Sequence, residues 1–379
     1  MTERLPQIET LARPRRRRAI PAWLAAWFVL AVVAVIRSGH AGGEDPIELP
    51  RTVVLFDDAT VGFGGDAPEL VDEEGFVVRH ASQSVRTVVD LPERARFEVG
   101  RLLAEVEVTP ITDDRGRPHD RWTRMGQLLV EVPPTPGARG DVPRDVELMR
   151  FITGYGAGGT WQADVTALAP LLEGRTALRL FVSTYGDAAT WRVSARLRYE
   201  PLDAGPRRPL LARPLFHDLH VTRLDPVLRA EVTIPGGTAV PRIRITTTGH
   251  ASDGEGANEF LSATHVLRVD GREIARWRPW SEDGVETRPV NPWAGRFELD
   301  GGTVRASDLD RSGWHPGRMV EPRFIPVPEL TPGLHVVELE ILGIRPRDPD
   351  APAEPPGTLP YHGYWAVSAE VVADRRLPR

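Results

Sequence analysis

The most constraining feature of this chain is a series of short runs, beginning near residue 51, in which apolar and polar residues alternate. Alternation is typical of β-strands that bury one face, because successive strand side chains point to opposite sides. The runs in the first half are TVVLF, FVVRH, SVRTVVDL, LLAEVEVTPI, GQLLVEV, VELMRFIT, TALRLFVSTY and WRVSARLRYE. The runs in the second half are LRAEVTIP, PRIRITTTGH, ATHVLRVDG, REIARWRPW, RFIPV, GLHVVELEIL and GYWAVSAEVV. With Gly, Pro and Asp between the runs, the pattern predicts an all-β chain of antiparallel β-sandwiches, with either jelly-roll or immunoglobulin-like topology.

The chain is long enough, at 379 residues, for two domains that each bury a core. A Pro-rich stretch at 201–214 predicts a linker between an N-terminal domain at 51–200 and a C-terminal domain at 215–379. Within the first domain, DVTALAPLLEG at 164–174 predicts one short helical turn. A second Pro-rich stretch, 345–360, predicts a mobile loop before the last strand.

The N-terminal segment has the pattern of an export or anchoring device. Residues 1–18 are basic, and residues 19–36 form an apolar run without charges. That run suits either a retained transmembrane anchor or the apolar region of a signal peptide. The arginines are expected to stay cytoplasmic, which places the body of the protein outside the cytoplasm after a linker at 37–50. Cleavage after the small residue Ala41 would instead release a secreted or periplasmic protein.

Composition excludes several classes of function. The net charge is −6 although the N-terminus is basic, so the body is acidic and does not suit nucleic acid. The chain has no Cys, which excludes disulfides and thiolate chemistry. The histidines His250 and His265, and the pair His217 and His220, lack a third ligand at metal spacing. We therefore expect no metal and no cofactor; the sequence leaves the oligomeric state open.

Chemistry-bearing residues concentrate in four segments, at 113–126, 149–159, 246–271 and 291–322. In the third segment, Glu259 precedes Phe260 at the edge of a predicted strand, where a half-buried carboxylate suits proton transfer or the binding of sugar hydroxyls. A solvated glutamate at a strand end is the alternative. In the fourth segment, DRSGWHPG combines Arg311 with Trp314, which suits sugar hydroxyls or acyl groups. Its alternative is an Arg–Asp pair that supports a loop.

The order of these motifs resembles the peptide-N-glycosidase F family. The matching motifs of the second half are Gly249-His250, Glu259-Phe260, THVLRVDG, Asn291-Pro292 and DRSGWHPG. The first half adds RFIT, DVTALAPLLEG and TALRLFVSTY in the family's order. The resemblance implies two eight-stranded jelly rolls side by side, with the site in the cleft between them. It further implies amidase activity without a metal, releasing the glycan from glycosylasparagine, and a fold shared with copper-dependent hydroxylating monooxygenases.

The resemblance also indicates that two family carboxylates are replaced. The family's essential Asp, from a WDR triplet, corresponds to Thr123, and a second carboxylate corresponds to Ser183. Glu259 and Arg311 are kept. A Thr hydroxyl cannot act as a carboxylate base at neutral pH. Asp120, three residues before Thr123, is the one candidate substitute for the lost acid, although it lies farther along the chain.

These residues leave four hypotheses open. The first is a glycan- or glycopeptide-binding protein without amidase activity. The substrate-binding residues that the resemblance implies are Trp122, Arg124, Tyr185, His250 and Trp314. The second is a hydrolase, either an active amidase or an enzyme that cleaves a glycosidic bond, which uses Asp120 or Glu259 as its base together with Arg311. The third is a structural module of the cell envelope. The fourth, a copper monooxygenase, is not favoured because His217, His220, His250 and Met319 form no convincing ligand set.

Overall fold

The computed structural model describes a large part of the chain after residue 51. The described residues are 52–62, 83–92, 99–132, 145–184, 189–201, 209–222, 225–239, 241–250, 258–299, 302–344 and 363–374. The predicted N-terminal anchor at 19–36, the run FVVRH and the predicted loop at 345–360 lie outside them. In the described part of the chain, no helix is long and apolar enough to cross a membrane.

The described residues form β-strands joined by turns and short 3₁₀ helices. The strands of the first half are β1 Thr52–Gly62, β2 Ser84–Leu91, β3 Val99–Pro110, β4 Met125–Glu131, β5 Asp145–Ile152, β6 Gly159–Asp164, β7 Gly174–Val182 and β8 Ala189–Pro201. The strands of the second half are β9 Pro209–Val221, β10 Val227–Ile234, β11 Arg242–His250, β12 Thr264–Val269, β13 Arg272–Trp277, β14 Arg296–Leu299, β15 Gly302–Arg305, β16 Met319–Val320, β17 Arg323–Pro326, β18 Gly333–Leu342 and β19 Tyr364–Asp374. The 3₁₀ helices are Thr166–Leu171, Asn258–Phe260, Gly284–Val290 and Ala306–Asp308.

Strands β1 to β8 form a first sandwich of two antiparallel sheets. One sheet has the strand order β1-β8-β3-β6, and the other has the order β5-β4-β7-β2. This alternation of early and late strands, with four strands in each sheet, is the jelly-roll order. The short strand β16 extends the second sheet by pairing Met319 with Phe151 of β5.

Strands β9 to β13 and β17 to β19 form a second sandwich with the same order. Its sheets run β10-β18-β12-β13 and β17-β11-β19-β9. When the strands are renumbered from β9, and the hairpin β14-β15 and the short β16 are left out, each strand has the same neighbours as its counterpart in the first sandwich. The described strands therefore give jelly-roll topology in both halves, and the immunoglobulin-like alternative is excluded.

The burial of each strand follows from its place in the sheets. Strand β7 buries Thr176, Leu178, Leu180 and Val182, while the residues between them are half-buried, as its alternating sequence predicts. Strands β4 and β19 are different, because they are buried on both faces over most of their length. Their two sheets each cover a core on one side and contact the other sandwich on the opposite side.

The residues around the predicted linker are more ordered than their composition indicates. Residues 209–214 of that stretch begin strand β9, which pairs with β19. Leu211 is buried in the core of the second sandwich, whereas Ala212 packs against the core of the first, and this burial on both faces stabilises an extended strand. The predicted helical turn is confirmed as the 3₁₀ helix Thr166–Leu171, whose first backbone N–H donates to Asp164 Oδ1 at 3.0 Å.

A buried polar layer joins the two sandwiches. Its members are Gln127, Glu147 and Arg150 from the first sandwich, and Arg244, Thr248 and Glu370 from the second. The Arg150 guanidinium is fully buried and donates to Glu147 Oε2 at 2.7 Å within its own sandwich. Across the interface it donates to Thr248 Oγ1 at 2.8 Å and to the carbonyl of Ala366 at 2.7 Å. Arg150 therefore fastens β5 to both β11 and β19.

Arg244 completes the layer from the opposite side. It pairs with Glu370 at 2.9 Å and donates to the backbone carbonyls of Glu147 and Leu148. Burial acts to raise the pKa of Glu147, but the Arg150 guanidinium outweighs it and holds that pKa below the ordinary value. Burial raises the pKa of Glu370 to about 7; Arg244 acts against this shift and the neighbouring Glu147 reinforces it.

Candidate functional site

The predicted residues Glu259 and Arg311 form an ion pair. Glu259 lies in the 3₁₀ helix Asn258–Phe260, and its Oε1 accepts from Arg311 Nε at 2.8 Å. The Arg311 side chain is completely buried, whereas that of Glu259 keeps 12% of its surface exposed. Arg311 also donates to the carbonyls of Leu309 and Ala306, each at 2.7 Å. The buried guanidinium thus orients the carboxylate, and Glu259 is the partner that reaches solvent.

Tyr155 of the first sandwich completes the surroundings of Arg311. Arg311 Nη2 donates to Tyr155 Oη at 3.1 Å. The backbone N–H of Tyr155 donates to Asn291 Oδ1 at 2.8 Å, so the second sandwich also fixes the loop after β5. Burial raises the pKa of Tyr155, which keeps its hydroxyl neutral. The sequence pattern did not single out Tyr155, although it lies in the GYGAGG segment that follows RFIT.

Aromatic rings surround the buried guanidinium. The Arg311 Cζ atom lies 4.9 Å from the ring centroid of Trp314 and 5.2 Å from that of Phe260, within cation–π range. Trp314 Nε1 donates to the carbonyl of Gly249 at 2.8 Å, which ties the DRSGWHPG loop to the end of β11. A Cβ on Gly249 would lie 2.4 Å from the carbonyl oxygen of Asn258, so only glycine allows this approach.

His250 is the next residue of β11 and lies among these rings. Its imidazole stacks on Trp314 and on Tyr364, with centroids 5.7 Å and 5.3 Å away. Burial lowers the pKa of His250 to about 3, and the neighbouring Arg150 and His220 shift it in the same direction. The imidazole is therefore neutral at physiological pH and can donate or accept one hydrogen bond at each nitrogen.

Asp120 is already engaged in a second ion pair. Arg124 contacts it with two nitrogens, Nε at 2.5 Å and Nη2 at 3.1 Å, and the backbone N–H of Trp122 also donates to it. Only 4% of the Asp120 side chain is exposed. The neighbouring Thr123 is half-buried, and Trp122 exposes 65% of its surface. Asp120 therefore orients this loop, and neither of its oxygens faces solvent as a base would.

The remaining predicted residues lie at the same edge of the first sandwich. Ser183 follows β7, and its backbone N–H donates to the carbonyl of Met125 at 2.8 Å, two residues after Thr123. Met125 in turn belongs to the apolar cluster that contains Trp314. Arg124 exchanges two hydrogen bonds with Thr153, two residues before Tyr155. The structure thus connects both groups of predicted residues; Tyr185 lies outside the described residues.

A metal centre is not indicated by the arrangement of these side chains. Within the described ranges, no group of three His, Asp or Glu side chains is placed to hold a metal ion. Of the predicted histidines, His265 is completely buried and its Nε2 lies 2.9 Å from Thr247 Oγ1. The site brings together a carboxylate, a neutral imidazole and aromatic rings.

The fold and the site define a tandem jelly-roll protein with a carboxylate–arginine pair in its second half that contacts Tyr155 of the first. Two family models match the chain: "Peptide-N-glycosidase F, N terminal" at residues 138–199 and "Peptide-N-glycosidase F, C terminal" at residues 221–372. Together they span more than half of the sequence. The chain belongs to the peptide-N-glycosidase F family.

Solved structures show the same fold at low sequence identity. PNGF-II is 19% identical with a TM-score of 0.69 over 86% of this chain, which spans 65% of the length of that protein. PNGase F, described as a glycosylasparaginase from Flavobacterium meningosepticum, is 19% identical with a TM-score of 0.58, covering 86% of this chain and 96% of its own. A peptide-N(4)-(N-acetyl-β-D-glucosaminyl)asparagine amidase is 20% identical with a TM-score of 0.57, covering 86% and 97%. No curated protein matches the chain significantly.

Proposed function

We propose that this protein binds the glycan of an asparagine-linked glycopeptide at the Glu259–Arg311 site and does not hydrolyse the glycosylasparagine amide. The observation that carries the proposal is the ion pair that the buried Asp120 makes with Arg124. Asp120 is the one acid near the position where the family resemblance implies a catalytic Asp, and both of its oxygens accept hydrogen bonds from its own loop. The hydroxyl of Thr123 supplies no carboxylate base.

The residues that the site retains are suited to binding. The Glu259 carboxylate is held by a buried guanidinium and reaches solvent, which is the geometry needed to accept hydrogen bonds from sugar hydroxyls. The exposed indole of Trp122 offers an apolar face for a pyranose ring. A neutral His250 adds a hydrogen-bonding group without charge. These groups can orient a ligand, and binding by them does not depend on an activated water molecule as hydrolysis does.

An active amidase is the second candidate, and the family supports it. Two related structures are named as a glycosylasparaginase and as a glycosylasparagine amidase, and Glu259 and Arg311 stand where the resemblance implies functional residues. In this case Glu259 would act as the general base in place of the missing acids. Loss of one acid–base group lowers a rate by about 10²- to 10⁴-fold, so an amidase that lacks two of them would be slow.

Calorimetric titration with a glycopeptide carrying the N-glycan core tests the binding proposal. We expect saturable binding that is absent for the same peptide without the glycan. The variant Glu259→Gln is expected to weaken binding by roughly tenfold or more, because a hydrogen bond to a charged group is worth about 1.5–3 kcal/mol. Glu273→Gln, which breaks an exposed ion pair with Arg276 on β13, is the matched control and should bind normally. A folded wild-type protein that binds no N-glycan core would indicate a structural module instead.

We also infer that the body of the protein lies outside the cytoplasm, where glycopeptides are accessible. The basic residues 1–18 before the apolar run 19–36 support this placement, with retention as an anchor or cleavage near Ala41 as its two forms. A topology reporter fused after residue 60 is expected to be active outside the cytoplasm. Activity confined to the cytoplasm would contradict the inference.

A further inference from the structure

A chain of hydrogen bonds leads from the buried polar layer to His250. Arg150 Nη1, at the end of β5, lies 2.8 Å from Thr248 Oγ1 on β11. The same hydroxyl oxygen lies 2.7 Å from Nε2 of His250, two residues along the same strand. Arg150 and Thr248 are both completely buried, so water does not compete for these bonds. The first sandwich is thereby connected to an imidazole of the candidate site in the second.

The direction of these bonds follows from the groups that make them. A guanidinium only donates, so the Thr248 oxygen accepts from Arg150. The Thr248 hydroxyl also has one hydrogen to donate, and leaving a buried hydroxyl hydrogen without an acceptor costs free energy of folding. Among the hydrogen bonds of the described residues, His250 Nε2 is the remaining partner of this hydroxyl. Nε2 therefore accepts, and the single proton of the neutral ring is on Nδ1.

We propose that Arg150 and Thr248 are positioning residues that hold His250 as its Nδ1–H tautomer, so that His250 presents a fixed hydrogen-bond donor to the bound ligand. The consequence for the ligand rests on the proposed binding function. A fixed N–H donor selects an acceptor oxygen, such as a sugar hydroxyl or amide carbonyl, and disfavours a group that can only donate. The tautomer itself depends on the protein alone.

The surroundings of the ring support one protonation state over a wide range of pH. Burial lowers the pKa of His250 to about 3, and the neighbouring Arg150 and His220 shift it in the same direction. The aromatic side chains of Trp314 and Tyr364 stack on the ring. The donor at Nδ1 is therefore expected to persist from mildly acidic to mildly basic conditions.

Nitrogen NMR of the imidazoles tests the tautomer directly. Long-range ¹H–¹⁵N correlations, assigned with a His250→Gln variant, distinguish a protonated nitrogen from one with a free lone pair. In the wild-type protein we expect Nδ1 protonated and Nε2 unprotonated from about pH 5 to about pH 8. Thr248→Val keeps the shape of the side chain but removes the hydroxyl, and should shift the signals toward the Nε2–H form. Thr248→Ser restores the hydroxyl and should restore the wild-type signals.

Thr246→Val is the matched control, because Thr246 is buried two residues earlier on β11 and its Oγ1 has no hydrogen-bond partner among the described residues. This variant should leave the His250 signals unchanged. Glycopeptide affinity is expected to fall in Thr248→Val and to recover in Thr248→Ser. A wild-type signal with Nε2 protonated, or a Thr248→Val signal identical to wild type, would overturn the inference. Correct tautomer signals in a protein that binds no glycopeptide would overturn the proposed function and uphold the tautomer.

Discussion

Replacing Arg150 with Met is expected to lower the free energy of unfolding by about 3–5 kcal/mol, because it leaves a buried carboxylate without its cation. Glu147 is completely buried, and its Oε2 depends on Arg150 for charge compensation. The substitution also leaves Thr248 Oγ1 and the carbonyl of Ala366 without their donor from the first sandwich. Urea unfolding at neutral pH measures the effect.

Two further variants separate this cause from general disruption. Combining Glu147→Gln with Arg150→Met removes both charges, so the double variant should be more stable than Arg150→Met alone. Arg192→Met breaks an ion pair with Asp58 in which both side chains are more than half exposed, and should cost less than about 1 kcal/mol. If Arg150→Met cost no more than Arg192→Met, the buried polar layer would not be what holds the two sandwiches together.

Acid is expected to destabilise the protein steeply, because two histidines are buried in the neutral form. Burial lowers the pKa of His265 and of His250 to about 3. In the unfolded chain the same groups bind protons below about pH 6.5. Between these values the unfolded state holds more protons, so stability falls as the pH falls. Each histidine contributes about 1.4 kcal/mol per pH unit over this range. Urea unfolding at a series of pH values gives the slope.

The contribution of one histidine is isolated by comparing the slope of the unfolding free energy against pH in the wild-type protein and in a variant that lacks that histidine. His265→Asn is expected to reduce the slope by about 1.4 kcal/mol per pH unit, whatever it does to the stability itself. Glu370 changes the pH dependence of stability in the opposite direction. Its pKa in the folded state is about 7, so at pH values between the pKa of the unfolded carboxyl and about 7 it is the folded state that holds the extra proton. Its effect is common to both proteins and cancels in the comparison. An identical slope in His265→Asn would contradict the assignment.

Those parts of the fold that depend on local sequence pattern could be predicted from the sequence. Alternation along β7 and β18 indicated strands that bury one face, and both strands are built in that way. The choice between jelly-roll and immunoglobulin-like topology depends on which distant strands pair, such as β1 with β8, and local pattern contains no such information. Residues 209–214 show the same limit, because two apolar surroundings stabilise a Pro-rich strand that composition alone predicts as a linker.

The residue types of the candidate site could be predicted from the sequence, but the contacts between these residues could not. The motifs around Glu259 and Arg311 were recognised in the sequence, and the structure brings the two side chains together at 2.8 Å. Tyr155 was missed because it carries no charge and because its partner Arg311 lies 156 residues away in the sequence. The pairing of Asp120 with Arg124 was also unforeseen, although an interval of four residues allows it across a turn.

Native mass spectrometry of an equimolar mixture of the protein and an N-glycan-core glycopeptide tests the central claim most directly. The expected result is a complex whose mass is that of the protein plus the intact glycopeptide, with no free glycan after prolonged incubation. Released glycan together with a peptide that carries Asp at the former glycosylation site would show an active amidase and contradict the proposal. Protein without bound glycopeptide would contradict it as well, because the Glu259–Arg311 pair would then stabilise the interface without holding a ligand.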